Sequence, residues 1–212
     1  YYVDFGEFLE KIAPMEKSIV LILDEIQDPR NFGALIRSAE VFGVKGIIIP
    51  ERNAVRINET VVKTSTGAIE YVDIVKVTNI SDAISKLKKL DYWVYGAEGE
   101  GSKDYSQEKY PSRTALVLGS EGNGIRKKVK ESCDVLIKIP MYGKINSLNV
   151  SVAGGIILSE IVFLYKNALF CNILSKKEVK ILWEIIVVVL AVQLRQPFNL
   201  LVENIKLLFY GI

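Results

Sequence analysis

The sequence predicts an α/β fold in which a mostly parallel sheet is covered by helices on both faces. Short aliphatic runs, SIVLILD at 18–24, GIIIP at 46–50 and TALVLG at 114–119, have the continuous apolar character of strands buried on both sides. Segments with apolar residues at helical spacing alternate with these runs, which is the pattern of a parallel sheet. Glycine, proline or charged residues bound each run.

The elements can be followed in order along the chain. The run at 18–24 leads into FGALIRSAEVFG at 32–43, where apolar residues recur at helical spacing until Gly43 ends the helix. The strand at 46–50 completes a strand-helix-strand unit. The pattern then predicts a helix near 58–66, a strand at 71–77, a helix at 81–90, strands at 91–96 and 114–119, a short helix at 125–131, a last strand at 134–140 and a helix at 152–163.

Beyond about residue 166 the chain becomes rich in Leu, Ile, Val and Lys. This tail predicts one or two helices, roughly 176–194 and 198–209, separated near Pro197. Its longest apolar run, about 185–192, is far shorter than the ~20 residues that a membrane-spanning helix needs. No signal peptide is visible either, so we expect a soluble protein.

Composition narrows the possible functions. Lys and Arg number 27 against 25 Asp and Glu, so net charge permits a nucleic-acid partner without requiring one. The chain has no histidine, which excludes the usual Ser-His-Asp and Cys-His groups and the commonest zinc ligand. Cys133 and Cys171 are too few for a disulfide framework or a zinc site. We therefore expect no metal and a reducing, cytoplasmic setting.

Three loops of unusual composition are expected at the carboxyl ends of strands, where ligands bind in open parallel sheets. The first is DPRNFG at 28–33, which enters a helix carrying Arg37. Gly33 is four residues before Arg37, which predicts space for a substrate group beside the guanidinium. The alternative is that Asn31 only caps the helix and Arg37 pairs with Glu40.

The second loop is LGSEGNG at 118–124, and the third is IPMYGKINSLNVSVAGG at 139–155. The glycines of the second let backbone approach a ligand and leave Glu121 as a lone carboxylate, unless they only serve a tight connection. The third places small polar residues and paired glycines where a helix would build its core face. Its alternative is a Ser147 or Ser151 helix cap with small residues for helix packing.

Together, DPRNFGALIRSAEVFG, LVLGSEGNGI and IPMYGKINSLNVSVAGG closely resemble the three motifs of the SpoU/TrmH family of RNA ribose methyltransferases, within the SPOUT superfamily. The resemblance covers residues 18–162 and is strongest to the branch that methylates guanosine 2'-hydroxyls in large-subunit ribosomal RNA. It implies S-adenosylmethionine as cofactor and a deep C-terminal trefoil knot, which general topology rules would not predict. The sequence departs from the family at Arg30, where relatives often carry histidine.

The resemblance also implies roles for individual residues. The catalytic set carried over by motif is Asn31, Arg37, Glu121, Ser147 and Asn149. The adenosyl group would be held by backbone around Gly119, Ile139 and Leu148, with Gly96 and Met141 as further wall residues. Because arginine is a poor base, we expect Arg37 to anchor an RNA phosphate and support the forming alkoxide. The proton would pass to a phosphate or to Glu121, which also holds Asn31 or Arg37 in position.

In domain terms, the resemblance implies that residues 1–17 end a linker from an N-terminal RNA-binding domain and that 18–165 form the catalytic domain. Residues 166–212 are predicted to be a hydrophobic helical extension, to which the resemblance assigns no role. It further implies a homodimer through the knot region. A tRNA guanosine substrate, a noncatalytic RNA-binding factor with the same fold and a nucleotide-binding redox or regulatory module are alternatives. The candidates for phosphate contacts, or else for an ordinary solvated surface, are Arg52, Arg56, Lys63, Arg126, Lys127 and Lys128.

Overall fold

The structure, a computed structural model, describes residues 1–99 and 103–173, with side chains described to residue 165. Its strands are β1 (Tyr2–Val3), β2 (Ser18–Asp24), β3 (Gly46–Pro50), β4 (Asp73–Val77), β5 (Trp93–Ala97), β6 (Lys103–Asp104), β7 (Arg113–Gly119) and β8 (Val135–Lys138). They form one sheet in the order β1-β4-β3-β2-β7-β5-β8-β6. Every pairing between these strands is parallel, which confirms the predicted sheet.

The helices are α1 (Phe5–Ile12), α2 (Pro29–Val41), α3 (Glu59–Ser65), α4 (Ile80–Lys88), α5 (Lys127–Ser132) and α6 (Val150–Ile173), with short 3-10 helices at Ala68–Glu70 and Tyr105–Gln107. Because side chains of a strand alternate between faces, the strands feed two hydrophobic cores. Leu21 and Leu23 belong to a core with residues of α2, α3 and α6. Val20 and Ile22 belong to another with residues of α1, α4 and α5. The prediction of helices on both faces is confirmed.

Residues 1–17 carry more structure than the expected linker. β1 pairs with β4 at the edge of the sheet. Asp4 then caps α1 by accepting hydrogen bonds from the backbone of the helix's first turn. Phe8 and Ile12 are fully buried against the sheet. This segment is therefore part of the compact unit Tyr1–Tyr165.

A second unit comprises Lys166–Ile212. The helices expected at 176–194 and 198–209 lie outside the described residues. Among the residues that are described, no helix is both long and apolar enough to cross a lipid bilayer.

Candidate functional site

The loops that follow β2, β7 and β8 meet at the carboxyl edge of the sheet. β2 and β7 are paired along their whole length, from Ser18 opposite Arg113 to Asp24 opposite Gly119. β5 lies beside β7, with Ala97 opposite Leu118, and β8 lies beyond β5 with Ile137 opposite Ala97. Strands that end level in a parallel sheet bring their following loops together. The three unusual loops therefore share one edge, as the sequence predicts.

Three side chains from these loops form one hydrogen-bonded network. The Asn31 amide donates from Nδ2 to Glu121 Oε1 at 2.8 Å. The Asn149 amide donates from Nδ2 to the same Glu121 oxygen and to Asn31 Oδ1, each at 2.9 Å. Asn31 is 9% exposed and lies at the start of α2. The expected contact between Glu121 and Asn31 is present, and the network fixes the three loops relative to one another.

The other end of the Asn149 side chain holds the start of α6. Its Oδ1 accepts hydrogen bonds from Ser151 N at 2.9 Å, from Ser151 Oγ at 2.6 Å and from Val152 N at 3.4 Å. This is the geometry of a helix N-cap, in which a side-chain oxygen satisfies free backbone N–H groups. The cap is thus Asn149, and neither Ser147 nor Ser151 as one alternative supposed.

The glycine-rich loop after β7 is closed by its own backbone. Ser120 and Gly124 exchange backbone hydrogen bonds of 3.1 and 3.0 Å. A Cβ added at Gly119 would lie 2.1 Å from the carbonyl carbon of Gly124. Any larger residue at position 119 would therefore push the backbone at Gly119 away from the backbone at Gly124. Gly122 and Gly124 have φ of 99° and 65°, which side chains disfavour. The glycines hold Glu121 at the tip of a tight, preformed loop.

A cavity of about 800 Å³ opens beside this network. Its volume is within the range of roughly 300–1,000 Å³ typical of small-molecule sites. Seven of the residues predicted from sequence line it: Gly119, Glu121, Ile139, Met141, Ser147, Leu148 and Asn149. Leu118 and Ile157 add apolar wall, while the backbone of the glycine-rich loop supplies polar groups. The arrangement suits a ligand with a planar apolar part and hydrogen-bonding edges.

Two expectations at this edge need correction. Gly96 does not line the cavity, because the position of its missing side chain faces Leu136, Cys133 and Ile125; the next residue, Ala97, lines it instead. Gly33 leaves no room for a substrate, because a Cβ there would lie 1.8 Å from Thr64 Oγ1 of α3. The glycine serves close packing of α2 on α3.

Arg37 is exposed on α2 and lines neither this cavity nor a smaller one beside it. It lies six residues after Asn31, which rotates its side chain by about 240° around the helix axis. Within the described residues it has no ion pair, with Glu40 or otherwise. Its guanidinium is available to a group that approaches the surface of α2.

Ser147 is also exposed and has no hydrogen bond among the described residues, although it lines the larger cavity. The Ser147 hydroxyl was expected to orient the substrate or a neighbouring side chain, and no side chain of the described residues is hydrogen-bonded to it. The orienting role stays a prediction about a bound ligand.

An ion pair between a buried carboxylate and a half-exposed guanidinium lies beneath the site and was not predicted. Asp24, at the end of β2, is fully buried. Arg126, just after the glycine-rich loop, donates to it from its backbone N at 2.8 Å, from Nε at 2.8 Å and from Nη2 at 2.6 Å. Hydrogen bonding to Asp24 raises the pKa of Arg126 further above its ordinary value. The pair ties the loop that carries Glu121 to the strand that precedes Asn31.

The remaining basic candidates are on the surface. Arg126 is committed to Asp24, so it is not a free phosphate ligand. The others are exposed like Arg126 but have no ion pair among the described residues: Arg52, Arg56, Lys63, Lys127 and Lys128. In the part of the chain that the structure describes, no group of three or more Cys, Asp and Glu side chains could hold a metal ion.

Comparisons with known proteins converge on one family. Residues 18–159 match the model of the SpoU rRNA Methylase family. A protein of Staphylococcus haemolyticus assigned to the TrmH family of tRNA/rRNA methyltransferases is 45% identical over 161 residues, which cover 76% of this chain and 65% of that protein. The chain thus spans slightly less than two thirds of that relative's length.

Two solved structures share the fold. The SpoU methyltransferase AviRb from Streptomyces viridochromogenes, in complex with the cofactor AdoMet, is 27% identical with a TM-score of 0.67, covering 73% of this chain and 60% of AviRb. The TrmH/SpoU tRNA modifying enzyme of A. aeolicus is 27% identical with a TM-score of 0.67. That match covers 84% of this chain and 93% of the A. aeolicus enzyme.

Proposed function

Because this chain belongs to the SpoU rRNA methylase family, we propose that it is an RNA methyltransferase that uses S-adenosylmethionine. The acceptor we propose is the ribose 2'-hydroxyl of a guanosine, in large-subunit ribosomal RNA, in the cytoplasm. The observation that carries the proposal is the network of Asn31, Glu121 and Asn149. It joins all three motif loops at the rim of a cavity large enough for the cofactor.

The larger cavity fits the cofactor by its chemistry. The aliphatic side chains of Ile139 and Leu148 line it and would enclose the adenine ring, while backbone N–H and C=O groups around Gly119 would meet the ring's polar edge. Met141 would add a flexible apolar contact. S-adenosylmethionine supplies a methyl group that its sulfonium already activates. AviRb, a structural relative, has been crystallised with this cofactor.

The chain's own residues would position the acceptor. The cofactor would supply the methyl group to the ribose 2'-oxygen and leave as a neutral thioether, so the chain's residues would have to hold the acceptor in place and take up the hydroxyl proton. The network would hold the ribose in line with the methyl group, which is a positioning contribution to the rate. Exposed Arg37 would bind the phosphate of the target nucleotide and favour the developing negative charge. The proton would pass to that phosphate or to Glu121.

Surface features support an RNA partner and a homodimer. Exposed Arg52, Arg56 and Lys63 would bind backbone phosphates. In the third loop, Tyr142 is 96% exposed and Ile145 is 77% exposed, and an interface between two copies would cover these apolar side chains. We propose that two copies pair through this region, the one implied to form the trefoil knot. Ile145→Lys should shift the sedimentation profile toward monomer.

A tRNA substrate is the second candidate, favoured by the A. aeolicus tRNA modifying enzyme, which matches 84% of this chain. The test is to incubate the protein with labelled S-adenosylmethionine and RNA that lacks native methylation, then to digest the RNA and map the label. Labelled 2'-O-methylguanosine in large-subunit rRNA supports the proposal, and label in tRNA supports the second candidate. Cofactor binding without any transfer would leave only a noncatalytic RNA-binding factor.

The role of Arg37 has its own test. Arg37→Ala should leave cofactor binding unchanged, because the residue lies outside the cavity, while transfer falls by about 10²-fold or more. Arg37→Lys keeps the positive charge without the planar fork and should recover part of the lost rate. Unchanged transfer in Arg37→Ala would contradict the role.

A further inference from the structure

A smaller cavity of about 270 Å³ adjoins the larger one. It lies between the loop after β2 and the glycine-rich loop, and it shares Ser120, Glu121 and Val150 with the larger cavity. Asn31 lines the smaller cavity and Asn149 lines the larger one, so the network forms the boundary between them. A group held in the smaller cavity would meet, across this boundary, a ligand held in the larger one.

The size and floor of the smaller cavity suit one flat ring. Its volume is just below the range of roughly 300–1,000 Å³ that accommodates whole drug-sized ligands. Ile26 and Val150, which are 3% and 8% exposed, contribute apolar surface to its lining. A planar heterocycle can place its face on such surface and direct its polar edge to the remaining walls.

Those remaining walls are acidic. Glu25, Asp28 and Glu121 line the cavity, and no Lys or Arg is among its lining residues. Glu25 is paired with Arg126, whose Nη1 lies 3.3 Å from Glu25 Oε1, so the negative charge without an ion pair is that of Asp28 and Glu121. Asp28 caps α2 through Oδ1, and Glu121 binds its two amides through Oε1. Within the described residues, the second oxygen of each carboxylate accepts no hydrogen bond. The cavity lining therefore contains two carboxylate oxygens that are free to accept hydrogen bonds, and such oxygens favour a ring edge that carries N–H donors.

We propose that this cavity receives the base of the target nucleotide and selects guanine, an inference that rests on the proposed function. Guanine has adjacent donors, N1–H and the N2 amino group, on its Watson–Crick edge. Adenine and cytosine each place an acceptor ring nitrogen beside the amino group, which would face a carboxylate unfavourably. Uracil offers one N–H between two carbonyl oxygens. Only guanine matches the open oxygens of Asp28 and Glu121 with two neighbouring donors.

The test uses the whole chain and does not depend on turnover. The side-chain amides of Gln27 and Asn123 line the cavity and have no hydrogen bond among the described residues, so their NMR signals can report binding. We expect GMP to shift these signals with an affinity about tenfold above that of AMP, CMP and UMP, the discrimination of one bidentate pair. Equal responses to the four nucleotides, or no response to any, would overturn the proposal.

Asp28→Asn is the sharpest variant, because asparagine caps a helix about as well as aspartate but replaces a carboxylate oxygen by an amide. It should abolish the preference for GMP while the fold is retained. Asp4→Asn is the matched control, since Asp4 caps α1 in the same way and lines neither cavity. A preference for GMP that survives Asp28→Asn would overturn the proposal.

Methyl transfer separates this inference from the proposed function. If GMP is preferred but no transfer from S-adenosylmethionine to RNA is found, the proposed activity fails while base selection stands. If transfer occurs equally at the ribose of all four nucleotides, base selection and the guanosine acceptor both fail, while the RNA methyltransferase activity stands.

Discussion

The substitution Arg126→Met tests how much the ion pair between Arg126 and Asp24 contributes to stability. Asp24 is fully buried, and Arg126 contacts it through Nε, Nη2 and its own backbone N. Methionine keeps the backbone hydrogen bond and most of the aliphatic stem. It removes both charged contacts with Asp24 and also the weaker contact between Nη1 and Glu25 at 3.3 Å. The Asp24 carboxylate would then stay buried with one donor in place of three.

The expected cost is about 3 kcal/mol in the free energy of unfolding. Breaking a buried ion pair by removing one partner costs roughly 3–5 kcal/mol, because the other charge is left uncompensated. The Arg126 side chain is 46% exposed, so water can replace part of the guanidinium and the lower end applies. Adding Asp24→Asn should recover stability relative to Arg126→Met alone, since the buried charge is then gone.

Urea unfolding followed by circular dichroism near pH 7 would measure these differences. Lys127→Met is the matched control, because this neighbour is exposed and has no ion pair among the described residues, and it should change stability by less than about 0.5 kcal/mol. A loss for Arg126→Met no larger than for Lys127→Met, or no recovery on adding Asp24→Asn, would refute the reasoning.

Three further predictions follow from packing and burial. Gly154→Ala should cost about 1–3 kcal/mol in urea unfolding, because its Cβ would lie 2.7 Å from leucine side chains of α2 and β7; Gly155→Ala, with no atom closer than 3.9 Å, should not destabilise, and equal effects would contradict this. Gly119→Ala should reduce methyl transfer by about 10²-fold by displacing the glycine-rich loop, whereas Gly155→Ala, which lines neither cavity and has its nearest atom at 3.9 Å, should retain it. Burial raises the pKa of the Cys133 thiol from 9.0 to about 12, so stability is lost as pH rises above about 9. Near pH 8.5, alkylation of its peptide should be much slower than in urea, and equal rates would exclude burial of the thiol.

The strands could be predicted from sequence because burial on both faces leaves a local signature. All seven residues of β2 are buried, and its aliphatic run is visible without any structure. The sequence of α1 also indicates a helix, because the capping residue Asp4 is followed by apolar residues at helical spacing, namely Phe5, Phe8 and Ile12. The segment is nevertheless expected to be the end of a linker, because the family resemblance implies a linker at that place in the chain. β6 has two residues, too few for any pattern to show.

The site was partly predictable for a similar reason. Loops after neighbouring parallel strands must meet, so Asn31, Glu121 and Asn149 could be placed together once their strands were recognised. The pairing of Asp24 with Arg126 joins residues 102 positions apart, and neither residue carries a local pattern that points to the other. Likewise, Gly33 looked like space for a substrate because sequence does not reveal that α3 packs at that point.

Asn149 has consequences for how this protein would respond to its ligands. One end of its short side chain starts α6, and the other end completes the junction with Asn31 and Glu121. A rotation that improves contact with a ligand would therefore uncap a helix whose interior packs into the domain core. Rearrangement at the junction and loosening of that helix are mechanically linked, so substitutions in the hydrophobic face of α6 should alter ligand affinity without touching the ligand.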